Sequence, residues 1–275
     1  VDRTITYTNN AGETLVFGVG SKWRYADNDL FQASLEYESA NNRVISFDEA
    51  LVEHNITVNL RTSNTAGMAE RNRIMDVAQA DIVALSPGTL SVGDSFTRAY
   101  ITGCKPDQFH YRDGFMDMEL TIVRRPYWLR EYSQTIVPES RVGLGGMDYP
   151  TDYPYDYMST YSDSNTLTNP FSVPAKPVFY IGGACENPTL SIAGNTYEVQ
   201  TSIDNGELII VDALERTIVT RDKFGNETSI FDKGVRGEGC YIFQSIPAGT
   251  SNVIWDGSYP VEVKLYEERR VPYWN

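Results

Sequence analysis

Apolar side chains alternate with polar ones from the start of the chain. Ile5 and Tyr7 share one parity, Asn9-Asn10-Ala11-Gly12 interrupts, and Leu15 to Phe17 resume. Period-two spacing on both sides of a turn-forming quartet predicts an opening β-hairpin. Further strands are predicted at Phe31–Tyr37, Val44–Phe47, Ile56–Leu60, Phe96–Gly103 and Met116–Val123. In the last, Met116, Met118, Leu120 and Ile122 alternate with Asp117, Glu119, Thr121 and Val123, the pattern of a half-buried antiparallel strand. One stretch departs from this period. Between Ala66 and Ala84 there is no Pro and one Gly, and Met68, Ile74, Met75, Val77, Ala78, Ile82 and Leu85 recur at helical spacing. Thr65 can cap its start and Ser86-Pro87-Gly88 stops it, so a single long helix is predicted over about 66–85.

A boundary follows the Met116–Val123 strand. Arg124-Arg125-Pro126-Tyr127-Trp128 ends it and Pro138 lies beyond, which predicts a first domain over 1–136 and a second over 137–275. The second opens with a Gly-, Tyr- and Pro-rich lead-in, 143–177, whose prolines exclude both helix and central strand. Extended edge or connecting chain is expected there. Strand patterns then return at short spacing: Val178–Ile181, Thr189–Ile192, Thr196–Thr201, Glu207–Asp212, Arg216–Arg221, Cys240–Phe243, Ser251–Trp255 and Val261–Tyr266. Gly-Asn, Asp-Asn-Gly and Pro-Ala-Gly turns separate them, which predicts a β-sandwich. The fold class expected is therefore mainly β with two domains, the first sandwich-like or barrel-like with one helix. The 124–128 segment is echoed by Arg269-Arg270-Val271-Pro272-Tyr273-Trp274. Guanidinium groups beside aromatic pairs invite stacking, and a common way of leaving a sheet edge accounts for the echo.

Composition narrows the function classes. The 275 residues carry 23 Lys+Arg against 37 Asp+Glu, a net charge of −14 shared by both halves. Such a chain is repelled by phosphate backbones, which argues against sequence-specific nucleic-acid binding through a basic face. Eighteen Tyr against 11 Phe suit half-wet strand surfaces and interfaces. Cys104, Cys185 and Cys240 are an odd number without a CxxC pair, as expected of buried thiols in a reducing cytoplasm. The polar start VDRTITYTNN does not read as a signal peptide, and no run of about 18 apolar residues predicts a membrane span.

Candidate chemistry is sparse. The two histidines, His54 in Glu-His-Asn and His110 in Phe-His-Tyr, stand apart from any GxSxG nucleophile elbow and are expected to be structural. There is no HExxH, no paired CxxC and no complete calcium loop. Asp148, Asp152 and Asp156 recur every fourth residue but lack the Gly and closing Glu that a calcium loop needs. Gly18-Val19-Gly20 lacks the third Gly and the helix of a phosphate loop, and reads as a hairpin exit. No catalytic residue, metal ligand or cofactor site is expected, and the chain reads as a non-enzyme.

An ordered set of motifs is more specific. Gly143-Leu144-Gly145-Gly146-Met147-Asp148-Tyr149-Pro150, Asn169-Pro170, Val178–Gly182 and Asn187-Pro188 come first. Asp204–Asp212, Phe243-Gln244-Ser245-Ile246-Pro247-Ala248-Gly249, Asn252–Trp255 and Tyr266–Arg270 follow, with Leu120–Glu131 in the first domain. Together they resemble the distal tail protein (Dit) family of long, non-contractile-tailed bacteriophages. One departure is DYPTDYPYDY, where Phe-Pro pairs are expected.

The resemblance implies a definite role. Six first domains close into a ring around the tail channel, and six galectin-like second domains project outward. One face docks on the tail tube and the other on the tail-tip protein that leads to the receptor-binding protein. The implied place is the virion tail tip, assembled in the bacterial host cytoplasm, with no cofactor, no reaction and no membrane contact; DNA passes through the channel without being recognised. Two rivals stand beside it. In a carbohydrate-binding module that aids adsorption, Tyr149, Tyr153, Tyr155 and Tyr157 would stack saccharide rings; the alternative is that these rings cover an interface. An enzyme acting on cell-wall polymer would need a convergent acid pair, which nothing in the sequence selects.

Overall fold

The computed structural model describes residues 4–31, 37–41, 43–47, 50–61, 64–110, 114–136 and 166–273, with backbone alone for 25–28, 64 and 107–110. Two compact units emerge, Val1–Arg130 together with Glu268–Asn275, and Glu131–Glu267. The second unit is thus an insertion between the body of the first and its last eight residues. The expected boundary at 136/137 instead falls at 130/131, and the C-terminal residues return to the first unit.

In the first unit the chain runs β1 (Ile5–Thr8), β2 (Thr14–Phe17), β3 (Trp23–Asn28), β4 (Tyr37–Ala40), β5 (Arg43–Phe47), β6 (Val52–Arg61), α1 (Asn64–Ala84), β7 (Gly88–Val92), β8 (Ser95–His110), β9 (Phe115–Arg124) and the start of β10 (Trp128–Ile136). Strand order β8-β7-β1-β2-β3-β6-β9, with β9 pairing back onto β8, closes a seven-stranded barrel. All its steps are antiparallel except the parallel bridge Phe17↔Trp23 between β2 and β3, so the barrel is mixed. Sixteen-residue β8 serves both β7 and β9, and register shifts at Ile101/Gly103 and Pro106/Gln108 mark where it bends. A bulge is also where a strand tolerates a proline such as Pro106.

The alternation seen in the sequence fills the barrel. Ile56, Val58, Met118, Leu120 and Ile122 point inward and are at most 3% exposed, beside Tyr7, Phe17, Leu90, Ile101 and Trp128. The helix buries Ile74, Val77, Ala78 and Asp81, spaced i, i+3, i+4, i+7 as one face requires. Met68 and Leu85, counted in the predicted apolar stripe, are exposed instead. The helix begins at Asn64, so Thr65 lies inside it rather than capping it. Its end is a Schellman motif: Ser86 N–H donates to Asp81 O and Leu85 N–H to Ile82 O, each at 3.2 Å, with Leu85 at φ +50°.

Several strand expectations shifted. Of Phe31–Tyr37, Phe31 lies in a turn, 32–36 lie outside the described residues and Tyr37 opens β4, while β3 had no predicted counterpart. Gly88, read as a helix stop, begins β7. A Cβ there would sit 2.6 Å from Asp81 Oδ2 and 2.7 Å from Thr8 O, so only glycine lets this strand lie so close to β1 and the helix.

The second unit holds the rest of β10, then β11 (Thr166–Asn169), β12 (Lys176–Gly182), β13 (Cys185–Glu186), β14 (Thr189–Ile192), β15 (Asn195–Glu198), β16 (Ser202–Ile203), β17 (Leu208–Asp212), β18 (Thr217–Arg221), β19 (Glu227–Ser229), β20 (Arg236–Gly237), β21 (Cys240–Tyr241), β22 (Gly249–Ile254) and β23 (Val261–Arg269). One sheet orders β19-β18-β17-β12-β23, the other β11-β22-β14-β15. Phe179, Ile181, Ile209, Val211, Val263 and Leu265 of the first share one core with Leu167, Leu190, Ile192, Tyr197 and Val253 of the second. Two layers around one core make the predicted sandwich. Of the Pro-rich lead-in, 143–165 lie outside the described residues and β11 lies at a sheet edge. Lys176-Pro177 open β12, a strand paired on both sides, which departs from the expected edge; a proline is tolerated at the first positions of a strand.

Residues of the ordered motifs, together with Tyr197, Tyr259 and Thr189, fasten this sandwich. Buried Asn169 donates to Val173 O and Ile246 O at 3.0 Å each and accepts from Phe171 N–H. The Tyr197 hydroxyl reaches Gln244 O at 2.9 Å, and the Tyr259 hydroxyl both donates to Thr189 O and accepts from Thr189 N–H.

Candidate functional site

Tyr149, Tyr153, Tyr155 and Tyr157, and with them Asp148, Asp152 and Asp156, lie outside the described residues. Gly18 and Gly20 occupy the short turn from β2 into β3, both at positive φ. His110 ends β8 and its side chain is outside the described set. The three cysteines are free; burial pushes the Cys104 and Cys185 thiols up to about 11, so both stay protonated and unreactive at neutral pH. Among the described residues no group of three or more His, Cys, Asp or Glu side chains is placed to hold a metal ion.

His54 is the one histidine whose surroundings can be read. β6 turns it inward at one end of the barrel, 3% exposed. Its Nδ1 pairs with Asp29 Oδ1 at 2.8 Å, the arrangement that orients a catalytic base. The other nitrogen is taken, however. Arg124 Nε donates to His54 Nε2 at 2.9 Å, which makes Nε2 the acceptor and leaves Nδ1–H for Asp29. No lone pair is left for a substrate proton. Burial, then the Arg124 charge, lower the His54 pKa from its usual value, against an opposing pull from Asp29. A neutral, saturated imidazole is a structural part.

Arg124 is itself a junction. Its Nη1 donates to Arg125 O at 2.7 Å and Pro126 O at 3.1 Å, its Nη2 to Arg270 O at 3.3 Å, and its guanidinium stacks 5.4 Å from the Trp128 ring centroid. Burial, then repulsion from Arg270, lower its pKa to about 10, still fully charged at neutral pH. Arg270 lies 4.3 Å from the Tyr127 ring centroid and donates to its hydroxyl at 3.2 Å. Arg130 and Arg269 both stack on Tyr273, whose N–H donates to Ser95 Oγ at 2.8 Å. The two echoed segments therefore meet in the first unit and interleave cations with rings. Stacking was expected of each segment; their contact with each other was not, because no local pattern encodes it.

A second polar knot fixes the helix. Asp81, fully buried, accepts from the Tyr7 hydroxyl at 2.5 Å and from Asn10 N–H and Nδ2 at 2.9 and 3.0 Å, while Asn9 Nδ2 donates to Val77 O. Burial and the Asp81 charge raise the Tyr7 pKa far above its usual value. In the second unit, Glu131 accepts from the Tyr266 hydroxyl at 2.7 Å and pairs with Lys264 at 3.3 Å. Burial raises the pKa of nearby Glu262, partly offset by Lys264 and reinforced by Glu131. Glu131 is thus committed to a tyrosine and a lysine of its own sheet, whereas Glu262 Oε2 is buried without a hydrogen-bond partner.

Among the described residues of the first unit, two surface features stand out. A groove of about 1000 Å³ is lined by Leu60, Ala66, Ala69 and Phe115 and rimmed by Lys22, Arg24, Arg61 and Glu70. The β4–β5 ribbon forms a two-stranded sheet of its own, every residue described in its strands being exposed.

No protein-family model and no curated protein matches the sequence. Solved structures do match. The SPP1 Dit protein (gp 19.1), described as a paradigm of the hub adsorption apparatus in Gram-positive-infecting phages, superposes with a TM-score of 0.60 at 8% identity, covering 97% of this chain and 99% of that one. Chains from the phage p2 baseplate in its activated conformation, with Sr and with Ca, give TM-scores of 0.55 and 0.53, each at 13% identity and covering 99% of this chain and 100% of the other. At such identities the likeness speaks for architecture, and it spans both units: this chain is built on the Dit fold of phage tail hubs.

Proposed function

We propose that the protein is a structural, non-catalytic component of a phage tail, a distal tail protein whose copies close into a six-membered ring. The ring joins the tail tube on one face to the tail-tip protein on the other. The observation that carries this reading is end-to-end likeness to the SPP1 hub protein, barrel, helix and sandwich included, in a chain whose one legible histidine is saturated by Arg124. A single chain builds a ring when one patch meets a different patch on the next copy and the rotation closes. The net charge of −14 suits a bore that repels transiting DNA rather than binding it. In this role the second units project from the ring and carry the link toward the receptor-binding apparatus.

Negative-stain imaging of the purified chain tests the proposal. Annular particles whose class averages show six-fold symmetry are expected. Compact single particles at every concentration, together with hydrolysis of cell-wall polymer by the same preparation, count against it.

A further inference from the structure

On the outer face of the barrel one groove reverses the sign of the chain's charge. Trp23 and Leu60 are opposite in register and both are buried in the barrel, so their neighbours Arg24 and Asn59, also opposite, face outward. Arg61, two residues after Asn59, shares that side and stands opposite half-buried Phe115 of β9. These side chains line the groove together with Ala66 and Ala69 from the first turns of α1. Its lining carries Lys22, Arg24 and Arg61 against one acid, Glu70, in a chain of 23 bases and 37 acids. Glu70 is already answered: Lys22 bonds it at 3.2 Å and Arg73 pairs with it at 3.6 Å. Asp117 shares the outer face, opposite Asn59, without lining the groove. Arg24 and Arg61 are exposed, and neither guanidinium has a hydrogen-bond, ion-pair or ring partner among the described residues. The first turn of α1 holds no acid to neutralise its positive end.

We propose that this groove binds an acidic segment of a partner protein, with carboxylates on Arg24 and Arg61 and the segment's backbone close to Ala66 and Ala69. Guanidinium forks without a partner match carboxylates in both charge and shape. Nucleic acid is anionic too, but a long polyanion runs far beyond the groove and meets the −14 charge of the whole chain. Carboxylates on a short segment sense what lies within a Debye length of about 8 Å, which is the groove itself. The inference goes beyond the ring reading, and its test does not depend on ring formation.

Fluorescence anisotropy of a fluorescein-labelled hexaglutamate peptide, titrated at low salt with the full chain, tests the proposal. Saturable binding is expected that weakens as salt is added and falls at least about tenfold in Arg24→Glu with Arg61→Glu. Both residues are exposed, so the thermal midpoint of that variant is expected to stay at the wild-type value. Arg24→Gln with Arg61→Gln, expected to weaken binding in the same direction, serves if the charge reversal impairs folding. Lys223→Glu with Lys233→Glu makes the same change of net charge on the second unit and is expected to leave binding unaltered. Equal loss in that control, undiminished binding in the Arg24 and Arg61 variants, or no saturable binding by the wild type overturns the proposal. An oligonucleotide of equal charge that binds as tightly also overturns it, and makes the groove a general polyanion site. Rings that vanish in Arg24→Glu with Arg61→Glu, with no peptide bound by the wild type, overturn it in favour of a second copy as the occupant.

Discussion

Arg124 Nε and His54 Nε2 lie 2.9 Å apart, each in a side chain only 3% exposed, and the bond between them joins β9 to β6 at one end of the barrel. Because Arg124 also reaches the carbonyls of Arg125, Pro126 and Arg270, one guanidinium holds the exit from β9 and the returning C-terminal segment together. Truncating it leaves three carbonyls and an imidazole nitrogen in need of donors. Arg124→Ala is expected to cost about 3–5 kcal/mol. Arg124→Lys should recover little, since one ammonium cannot span that fork. Denaturant melts of both variants check this, and an Arg124→Lys protein as stable as the wild type would refute it.

His54 makes stability depend on pH with a definite sign. Its folded pKa lies below the unfolded value of about 6.5. The unfolded chain therefore binds the proton first as pH falls. The contribution of neutral His54 is fully present above about pH 6.5 and is lost as pH drops from there toward the lowered folded pKa. A charged imidazole would also face the Arg124 cation. His54→Gln, which keeps a hydrogen-bonding side chain without titrating, is expected to flatten the fall of melting temperature between about pH 7 and pH 5. An unchanged slope in that variant contradicts the assignment.

The helix is tied to the first hairpin through Tyr7 and Asp81, 74 residues apart. Tyr7→Phe deletes one donor to a buried carboxylate and should cost about 1–3 kcal/mol. Gly88→Ala drives a methyl against Asp81, Thr8 and the Tyr7 ring. It should cost a similar amount, about 1–3 kcal/mol, through overpacking. Because both changes strain the same knot, a double-mutant cycle is expected to show coupling of more than about 0.5 kcal/mol. Strict additivity would mean the knot is not one unit.

Leu85 offers the opposite test. It is 84% exposed and sits at φ +50°, where a side chain crowds its own carbonyl, in the Schellman position that glycine fills most readily. Leu85→Gly is expected to stabilise by about 1 kcal/mol. A rise of a few degrees in melting temperature is the readout, and a fall contradicts the cap assignment.

Much of this architecture could be read from spacing alone. Met116–Val123 and Thr189–Ile192 alternate cleanly because each strand has one wet and one dry face, and both are found where the pattern put them. Where the reading slipped, a long-range contact had overridden the local rule. Gly88 looked like a helix stop, yet its missing side chain serves the approach of β7 to Tyr7 and Asp81. Met68 and Leu85 matched helical spacing but face water, because the barrel contacts a narrower stripe than the sequence offers. Among the candidate site features, the saturation of His54 was invisible, since its partners Asp29 and Arg124 are 25 and 70 residues away. Val44–Phe47 was legible as a strand, but its exposure was not, because an apolar run does not say by itself what, if anything, covers it.

Native mass spectrometry of the intact chain, over a range of concentrations, addresses the central claim most directly. A dominant species of six times the 30.9 kDa chain mass is the predicted result. A monomer or a closed dimer up to the highest soluble concentration, with nothing larger, contradicts it.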